Sequence, residues 1–248
     1  MNRIQAIIFD KDGTLFGFHA TWAPWIRDLV RDLAAGDRDL IGRLSWRLGF
    51  DYDNCAFEQA SPFIHSTPEF MLSAIASEFD DSSLGEILEH VSDRSKNAVQ
   101  VEAVPLRPLL AELRRKGYRL GVATNDYEAA ARSHLGAANA LPFFDFIAGS
   151  DSGFGEKPDA GMILAFCDEV EIAPERSVLV GDSRIDVEAA RRAGAGAVGV
   201  LTGVARRSEL EPGTMCVLPD IGHLPRWLKA LDAEGSDDRI RSVQIGGG

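Results

Sequence analysis

Two aspartates near the start of the chain, Asp10 and Asp12, directly follow a short apolar segment and are themselves followed by Gly13 and Thr14. The apolar segment, residues 4–9, is rich in β-branched side chains and is typical of a buried strand. A strand that ends in this way places two carboxylates and a tight turn at the carboxyl edge of a sheet, where open α/β sheets bind ligands. The alternative is an ordinary acidic turn without chemistry, because aspartate and glycine are common turn residues.

Further polar positions follow or flank predicted strands later in the chain. Thr124 and Asn125 come after one apolar strand pattern, Asp182 comes after another, and Lys157 lies in a loop before a helix. Because parallel strands all point the same way, we expect these side chains to share one sheet edge with the first two aspartates. Carboxylate oxygens suit Mg²⁺, which keeps water ligands for substrate phosphates. Lys157 and Thr124 supply hydrogen-bond donors for phosphoryl oxygens.

Taken together and in order, these segments resemble the four motifs of the haloacid dehalogenase-like hydrolase superfamily. They read DKDGTL at 10–15, ATN at 123–125, KP at 157–158 and GDSRID at 181–186. The helical segment after the first motif is similar to the cap of phosphoglycolate phosphatase-like members, and the resemblance covers residues 1–232. It implies an α/β fold, in which a doubly wound, Rossmann-like parallel-sheet core carries an inserted α-helical cap domain.

The resemblance also implies a role for each matching residue. Asp10 would be the nucleophile that forms an aspartyl-phosphate, and Asp12 would be the general acid and then the general base. Thr124 would hold a phosphoryl oxygen, and Lys157 would neutralise charge on the nucleophile and the phosphate. The residues expected to bind the phosphate group are Gly13, Thr124, Asn125 and Lys157.

The metal that the resemblance implies is Mg²⁺. Its ligands would be the Asp10 carboxylate, the Asp12 backbone carbonyl and Asp182, while Asp186 would support the water shell of the metal or Lys157. This agrees with elementary chemistry, because a carboxylate attacks an anionic phosphate poorly unless a cation screens the repulsion. Asp12 also selects the reaction: dehalogenating relatives lack a carboxylate at its position, so phosphoryl transfer is predicted rather than carbon–halogen cleavage.

Between the first and second motifs the apolar pattern is helical. Apolar residues from 22 to 33 have the spacing of one face of an amphipathic helix, with Thr21 as its predicted N-cap and Gly36 as its end. Further helical patterns follow, one with Thr67 as its predicted N-cap, and no strand pattern interrupts them. The predicted domains are an α/β catalytic core at 1–16 and 98–232, a helical cap insertion at 17–97, and a tail of little order at 233–248.

After Pro105, strand and helix patterns alternate. The predicted strands are 118–123, 144–148, 177–180, 197–201 and 215–218, with helices between them and a last helix near 224–231. Repeated strand–helix units of this kind predict a parallel sheet that is covered on both faces.

Composition and charge exclude several classes of partner. The net charge of -12 works against sequence-independent binding to nucleic acid or to anionic membranes, since both need a basic surface. The cysteines, Cys55, Cys167 and Cys216, form no CxxC pair and are interpreted as reduced core thiols. Neither a signal peptide nor a membrane span is recognisable, which predicts a cytoplasmic protein. The sequence does not indicate an oligomeric state.

Several residues near the first motif have two interpretations. Lys11 could contact substrate, but a solvated side chain paired with a neighbouring acid is favoured, because lysine is rarely buried. Trp22 and Trp25 are expected to pack within the helical segment, whereas Phe16 and Phe18 suit packing and pocket lining equally. The five histidines show no metal-ligand spacing and are interpreted as structural or surface residues.

The function predicted from these residues is a Mg²⁺-dependent phosphatase. It would hydrolyse a small phosphorylated metabolite, phosphoglycolate-like or a sugar phosphate, through an aspartyl-phosphate intermediate. One alternative is a β-phosphoglucomutase-like phosphomutase, which would use the same motifs but return the phosphoryl group to the sugar. The other is a catalytically quiet binding or regulatory protein that keeps the fold, against which the full set of motif residues argues.

Overall fold

Eight strands in the described part of the chain form one large sheet and one small hairpin. The computed structural model describes residues 3–58, 61–65, 68–80 and 84–233. The strands are β1 (Ala6–Phe9), β2 (Phe50–Asp51), β3 (Ala56–Phe57), β4 (Arg119–Ala123), β5 (Phe146–Ala148), β6 (Ser177–Gly181), β7 (Gly196–Val200) and β8 (Cys216–Leu218).

The large sheet is parallel throughout, with the strand order β5–β4–β1–β6–β7–β8. β1 lies near the centre, between β4 and β6. Its last residue, Phe9, is aligned with Val122 of β4 and Val180 of β6. The three strands therefore end at nearly the same level, and the residues that follow them meet at one edge of the sheet. The predicted α/β fold with a doubly wound parallel sheet is confirmed.

Helices fill the connections between the strands. They are α1 (Phe18–Ala34), α2 (Arg38–Leu48), α3 (Pro62–His65), α4 (Pro68–Ala76), α5 (Leu84–Lys96), α6 (Leu106–Arg115), α7 (Glu128–Ala137), α8 (Gly161–Glu169), α9 (Arg184–Ala193) and α10 (Arg207–Leu210), and residues 224–233 are also helical. The short helix α10 was not predicted, because four residues are too few to show a helical period.

Both faces of the sheet are covered by helices, and side chains alternate between the two faces along each strand. On one face, Ile7 and Phe9 of β1 belong to a hydrophobic cluster that includes residues of α6, α7 and the helix at 224–233. On the other face, Ala6 and Ile8 belong to a cluster that includes residues of α8 and α9. Strands that are buried on both faces read as continuous apolar runs. The runs made these strands recognisable in the sequence.

The helical insert, defined here as residues 18–96, has a hydrophobic core of its own. It lies between β1 and α6 in the chain and contains α1–α5 together with the β2–β3 hairpin. Its fully or almost fully buried side chains come from four of the helices and the hairpin, and they include Ile26, Leu29, Val30, Leu44, Leu48, Phe50, Ile75 and Val91. The insert therefore does not depend on the sheet for all of its apolar burial.

The prediction that this segment contains no strand is wrong. β2 and β3 pair antiparallel, with Phe50 opposite Phe57. Gly49 takes a left-handed conformation, with φ +58°, at the end of α2, and the Asp51 carboxylate accepts the backbone N–H of Asn54 at 3.0 Å in the turn. Strands of two residues are too short to show an alternating pattern, so they could not be recognised in the sequence.

The predicted ends of α1 also need correction. The helix begins at Phe18, so Thr21 lies inside it rather than at its N-cap. The Thr21 hydroxyl oxygen instead accepts the backbone N–H of Val101 at 3.0 Å, which ties the helix to the chain returning to the sheet. At the other end, α1 stops at Ala34, Ala35 takes the left-handed C-cap position and Gly36 follows with φ +94°, so the predicted end lies two residues late.

Two predictions lie outside the described residues: Thr67 as a helix N-cap, and the low order of the tail over 234–248. Ala233, predicted as the first residue of that tail, is helical. None of the described helices is both long enough and apolar enough to cross a membrane. The three cysteines are free thiols, of which Cys167 is buried and the other two are half-buried.

Candidate active site

The polar residues predicted to converge do so at the carboxyl edge of the sheet. Asp10 follows β1, Thr124 follows β4 and Asp182 follows β6, and the order of these strands makes the three residues neighbours. All three are buried and face one cavity. The other predicted side chains that line this cavity are Asp12, Asn125, Lys157 and Asp186.

Gly13 does not line the cavity but turns the chain beneath it. Its φ of +83° is a conformation that residues with a side chain rarely adopt. A Cβ atom at Gly13 would lie 2.5 Å from the Asp182 carboxylate, and one at Gly203 would lie 1.7 Å from it. Two glycines therefore leave the space in which Asp182 reaches the sheet edge. The Thr202 hydroxyl donates to the Gly13 carbonyl oxygen at 2.6 Å and holds the turn in place.

Lys157 is buried between two carboxylates. Its Nζ donates to Asp10 Oδ1 at 2.6 Å and to Asp186 Oδ1 at 2.7 Å. Its main chain is held by Asn125, whose Oδ1 accepts the Lys157 N–H at 2.8 Å and whose Nδ2 donates to the Lys157 carbonyl oxygen at 2.9 Å. Both polar atoms of the Asn125 amide therefore position Lys157, and the predicted binding of phosphate by Asn125 stays a prediction.

Asp186 and Asp182 each accept hydrogen bonds from residues outside the predicted site, Ser183 and Val204. The Ser183 backbone N–H and hydroxyl donate to Asp186 Oδ2 at 3.1 and 2.6 Å, as part of a capping box at the start of α9. The spacing of Ser183 and Asp186 is a readable signal for such a box. The Val204 backbone N–H donates to Asp182 Oδ2 at 2.9 Å.

The carboxylates of Asp10, Asp182 and Asp186 form a buried acidic cluster, in which one oxygen of each lies within 4.8 Å of the others. Burial raises the pKa of Asp10 to about 6, although Lys157 acts in the opposite direction. Burial, together with the charges of Asp10 and Asp186, raises the pKa of Asp182 well above its ordinary range. Three carboxylates facing a single lysine leave negative charge uncompensated, so the residues present fit a bound divalent cation.

The Asp12 side chain points away from this cluster. Its Oδ1 accepts the indole N–H of Trp22 at 2.8 Å, and its Oδ2 lies 2.7 Å from Lys11 Nζ. Trp22 belongs to the helical insert, so a residue expected only to pack there also contacts a predicted catalytic residue. Trp25 shows the packing role predicted for both, because it packs against the hydrophobic core of the insert. Its indole N–H donates to the Arg94 carbonyl oxygen at 3.2 Å.

The Lys11 side chain is fully buried, which corrects the prediction that it is solvated. Its Nζ lies 2.7 Å from Asp12 Oδ2, 3.0 Å from Asp126 Oδ2 and 3.1 Å from His134 Nδ1. Burial opposes the charged form, but the two carboxylates outweigh this effect and raise the pKa of Lys11. The expected pairing with an acidic neighbour is therefore found, in the interior rather than at the surface.

His134 connects Lys11 to the helical insert. An ammonium group can only donate, so Nδ1 accepts from Lys11 and the proton resides on Nε2. Nε2 lies 2.9 Å from the carbonyl oxygen of Ser95, at the end of α5, and donates to it. Burial and the charge of Lys11 lower the pKa of His134. The interpretation of His134 as structural is upheld, but its place next to the first motif carried no signal in the sequence.

The insert contributes an apolar wall to the cavity, formed by Phe18, Trp22, Phe63 and Met71. Ile185 and Val204 add apolar side chains next to Asp186 and Asp182. Phe16 is instead fully buried in the core beneath the sheet edge. His19 is exposed and lies against the Phe18 ring, outside the cavity lining.

Comparison with known proteins places the chain among hydrolases of one family. The family model of the haloacid dehalogenase-like hydrolases matches residues 4–194. A phosphoglycolate phosphatase of Rhodospirillum rubrum is 36% identical over 235 residues, covering 90% of each chain. A phosphoglycolate phosphatase of Nitrosospira multiformis is 30% identical over 191 residues, covering 77% of this chain and 80% of that one.

Solved structures share the fold at lower identity. A predicted phosphoglycolate phosphatase from Haemophilus somnus superposes with a TM-score of 0.70 at 18% identity, covering 91% of this chain and 98% of the other. CbbY from Rhodobacter sphaeroides, solved in complex with phosphate, superposes with a TM-score of 0.62 at 23% identity, covering 89% and 96%. At these identities the likeness concerns the fold.

Proposed function

The chain belongs to the haloacid dehalogenase-like hydrolase family, and we propose that it is a Mg²⁺-dependent phosphatase that hydrolyses a small phosphorylated metabolite through an aspartyl-phosphate. The observation that carries the proposal is the contact of Asp10 with Lys157 beside the acidic cluster that lines the cavity. A buried carboxylate beside a fixed ammonium group can approach a phosphate without the full repulsion between two anions.

In the first step, a carboxylate oxygen of Asp10 attacks phosphorus while the bond from phosphorus to the substrate alcohol breaks. The electron pair of that bond goes to the departing oxygen, which takes a proton from Asp12. Lys157 and the Thr124 hydroxyl donate to phosphoryl oxygens, on which negative charge accumulates. The arrangement supports this, because both donors are buried and face the cavity next to Asp10.

In the second step, a water molecule attacks the phosphorus of the aspartyl-phosphate and gives its proton to Asp12. The bond from phosphorus to the Asp10 oxygen breaks, which releases inorganic phosphate and restores the carboxylate. Asp12 thus acts as acid and then as base from one position. The donors Trp22 and Lys11 keep its carboxylate oriented between the steps.

A Mg²⁺ ion would be held by the Asp10 and Asp182 carboxylates and by the Asp12 backbone carbonyl. When bound, it supplies positive charge that screens the approach of the phosphate to Asp10. Asp186 faces the same cluster and also holds Lys157 in place. The helical insert acts as a cap that excludes water from the cavity.

The experiment that tests this function measures phosphate release from a panel of phosphomonoesters with Mg²⁺ and with excess EDTA. The panel includes phosphoglycolate, which the relatives' names suggest, and sugar phosphates. Release that requires Mg²⁺ supports the proposal, and no release from any member of the panel contradicts it. Conversion of a sugar 1-phosphate into the 6-phosphate, without free phosphate, would instead identify a phosphomutase.

Binding of Mg²⁺ is expected to stabilise the protein in a pH-dependent way. Because the folded pKa of Asp10 is raised from 3.8 to about 6, its contribution to stability is present below about pH 4 and is lost as the pH rises through 6. Mg²⁺ binds the ionised carboxylates, so it should raise the melting temperature more at about pH 7.5 than at about pH 5. Thermal unfolding with and without Mg²⁺ measures this.

The control for the Mg²⁺ prediction is Asp182→Asn, in which the shift in melting temperature should be largely lost at both pH values. An equal Mg²⁺ shift at the two pH values in the unmodified protein would contradict a site made of these carboxylates.

Replacing Trp22 with phenylalanine is expected to lower kcat about tenfold with little change in KM. Phenylalanine keeps an aromatic ring at the cavity wall but cannot donate to Asp12, and a hydrogen bond to a charged group contributes about 1.5–3 kcal/mol. Steady-state kinetics measures the change. Trp25→Phe is the matched control, since Trp25 donates to a backbone carbonyl and does not line the cavity. Equal losses in both variants would contradict a role for Trp22 in orienting Asp12.

A further inference from the structure

The apolar wall of the cavity is a continuous aromatic surface. The ring centroids of Phe18 and Phe63 are 6.0 Å apart, and those of Trp22 and Phe63 are 5.8 Å apart. Phe57 stacks on Phe63 from behind, with centroids 5.0 Å apart and planes 11° from parallel. Met71 continues the same surface. The rings support one another, so the wall is preformed to receive a flat apolar group.

In the described part of the cavity lining, positive charge lies only at the acidic cluster, where Lys157 is the sole lysine, arginine or histidine. Three arginines of the insert pair with acidic residues: Arg43 and Arg47 with Glu78, and Arg94 with Asp32. The insert positions whose side chains lie outside the described part, 59–60, 64–70 and 81–83, contain no lysine or arginine in the sequence.

Polar side chains are almost as scarce among the described insert residues that line the cavity. Ser95 is the only residue with a hydroxyl or amide side chain that the described insert contributes to the lining. The indole N–H of Trp22 is already donated to Asp12. Against Phe18, Phe63 and Met71, a sugar with several hydroxyl groups would therefore lose hydrogen bonds to water without replacing them.

A second anionic group on the substrate would be disfavoured more strongly. The carboxylate of phosphoglycolate, once its phosphate lay against Lys157, would face the aromatic wall or the carboxylates of Asp12 and Asp126. Neither offers a cation, and an ionised group that is desolvated without a partner carries a large free-energy cost.

We propose that the alcohol portion of the substrate is uncharged and apolar, with an aromatic ring or a group of similar size. This inference rests on the proposed phosphatase function and narrows its substrate. The phosphate lies at the acidic cluster and Lys157, and the alcohol portion lies against Phe18, Phe63 and Met71. Because the same cavity is lined by the acidic cluster with Lys157 and by the aromatic rings, both parts of one substrate can be bound in it.

The test compares kcat/KM for benzyl phosphate, 2-phosphoglycolate and glucose 6-phosphate, all with Mg²⁺. All three are phosphates of primary alcohols, so the comparison depends mainly on the contacts of the alcohol portion. Benzyl phosphate is expected to exceed each of the others by roughly 10- to 100-fold. A higher value for 2-phosphoglycolate or glucose 6-phosphate would overturn the inference and leave the phosphatase function standing. No release from any substrate would overturn both.

A positive charge introduced into the aromatic wall should change the preference of the protein for benzyl phosphate over 2-phosphoglycolate. Met71→Lys introduces a cation beside the alcohol portion, so kcat/KM should fall for benzyl phosphate and rise for 2-phosphoglycolate, which shifts their ratio by about tenfold or more. Met71→Leu is the matched control, because it keeps an apolar side chain of similar volume and should retain the original ratio. If the ratio is the same in Met71→Lys and Met71→Leu, the wall does not contact the substrate and the inference is wrong.

Discussion

Replacing Asp10 with asparagine is expected to lower Mg²⁺-dependent phosphate release by about 10⁴-fold or more. The substitution keeps the shape of the side chain but replaces the attacking carboxylate with a neutral amide. It also removes the charge that Lys157 contacts at 2.6 Å. Release is measured by steady-state kinetics with the best substrate of the panel, and circular dichroism reports whether the fold is retained.

The control for Asp10→Asn is Asp168→Asn, which makes the same chemical change at an exposed position on α8 and should leave the rate nearly unchanged. Release by Asp10→Asn that stays within tenfold of the unmodified protein would contradict the assignment of Asp10 as the nucleophile. A large loss in both variants would instead indicate a general effect of removing acidic charge.

Replacing Lys11 with methionine is expected to destabilise the protein by about 3 kcal/mol. Methionine fills most of the buried space but leaves the carboxylates of Asp12 and Asp126 near each other without their cation. Removing one member of a buried ion pair typically costs 3–5 kcal/mol, and the lower end applies because both carboxylates are partly exposed. Chemical denaturation measures the free energy of unfolding.

Lys116→Met is the matched control for this prediction, because Lys116 makes a solvent-exposed ion pair with Glu112, so its substitution should destabilise the protein far less. The double variant Lys11→Met with Asp126→Asn removes one of the carboxylates left without a partner and should recover part of the loss. A destabilisation by Lys11→Met no larger than that of Lys116→Met would contradict a structural role for the buried lysine.

Much of the candidate site was predictable because its residues directly follow strands. Asp10, Thr124 and Asp182 each follow an apolar run, and the parallel order of β1, β4 and β6 brings them together without any information about tertiary contacts. The roles assigned to these residues rest on the resemblance and stay predictions. Their convergence at one edge of the sheet is seen in the structure.

The environment of Lys11 could not be predicted in the same way. The general rule for lysine favours solvent, and two of the three groups that make burial possible lie far along the chain. His134 is 123 residues away in the sequence, and Asp126 is on the loop that follows β4. A buried charge is stabilised by partners from several elements, so no local pattern can indicate it. The contact of Trp22 with Asp12 could not be predicted either. Trp22 has the spacing of one face of a helix, and this spacing is the same whether or not its N–H has a partner.

The hydrogen bond from Trp22 to Asp12 couples changes in the insert to changes at the sheet edge during evolution. The donor lies on the insert and the acceptor on the sheet edge, so the segment that forms the apolar wall also orients a group proposed to transfer protons. Exchanging the whole insert for that of a relative would therefore alter turnover as well as selectivity. Single substitutions within the wall that leave the Trp22 indole in place could change selectivity without changing turnover.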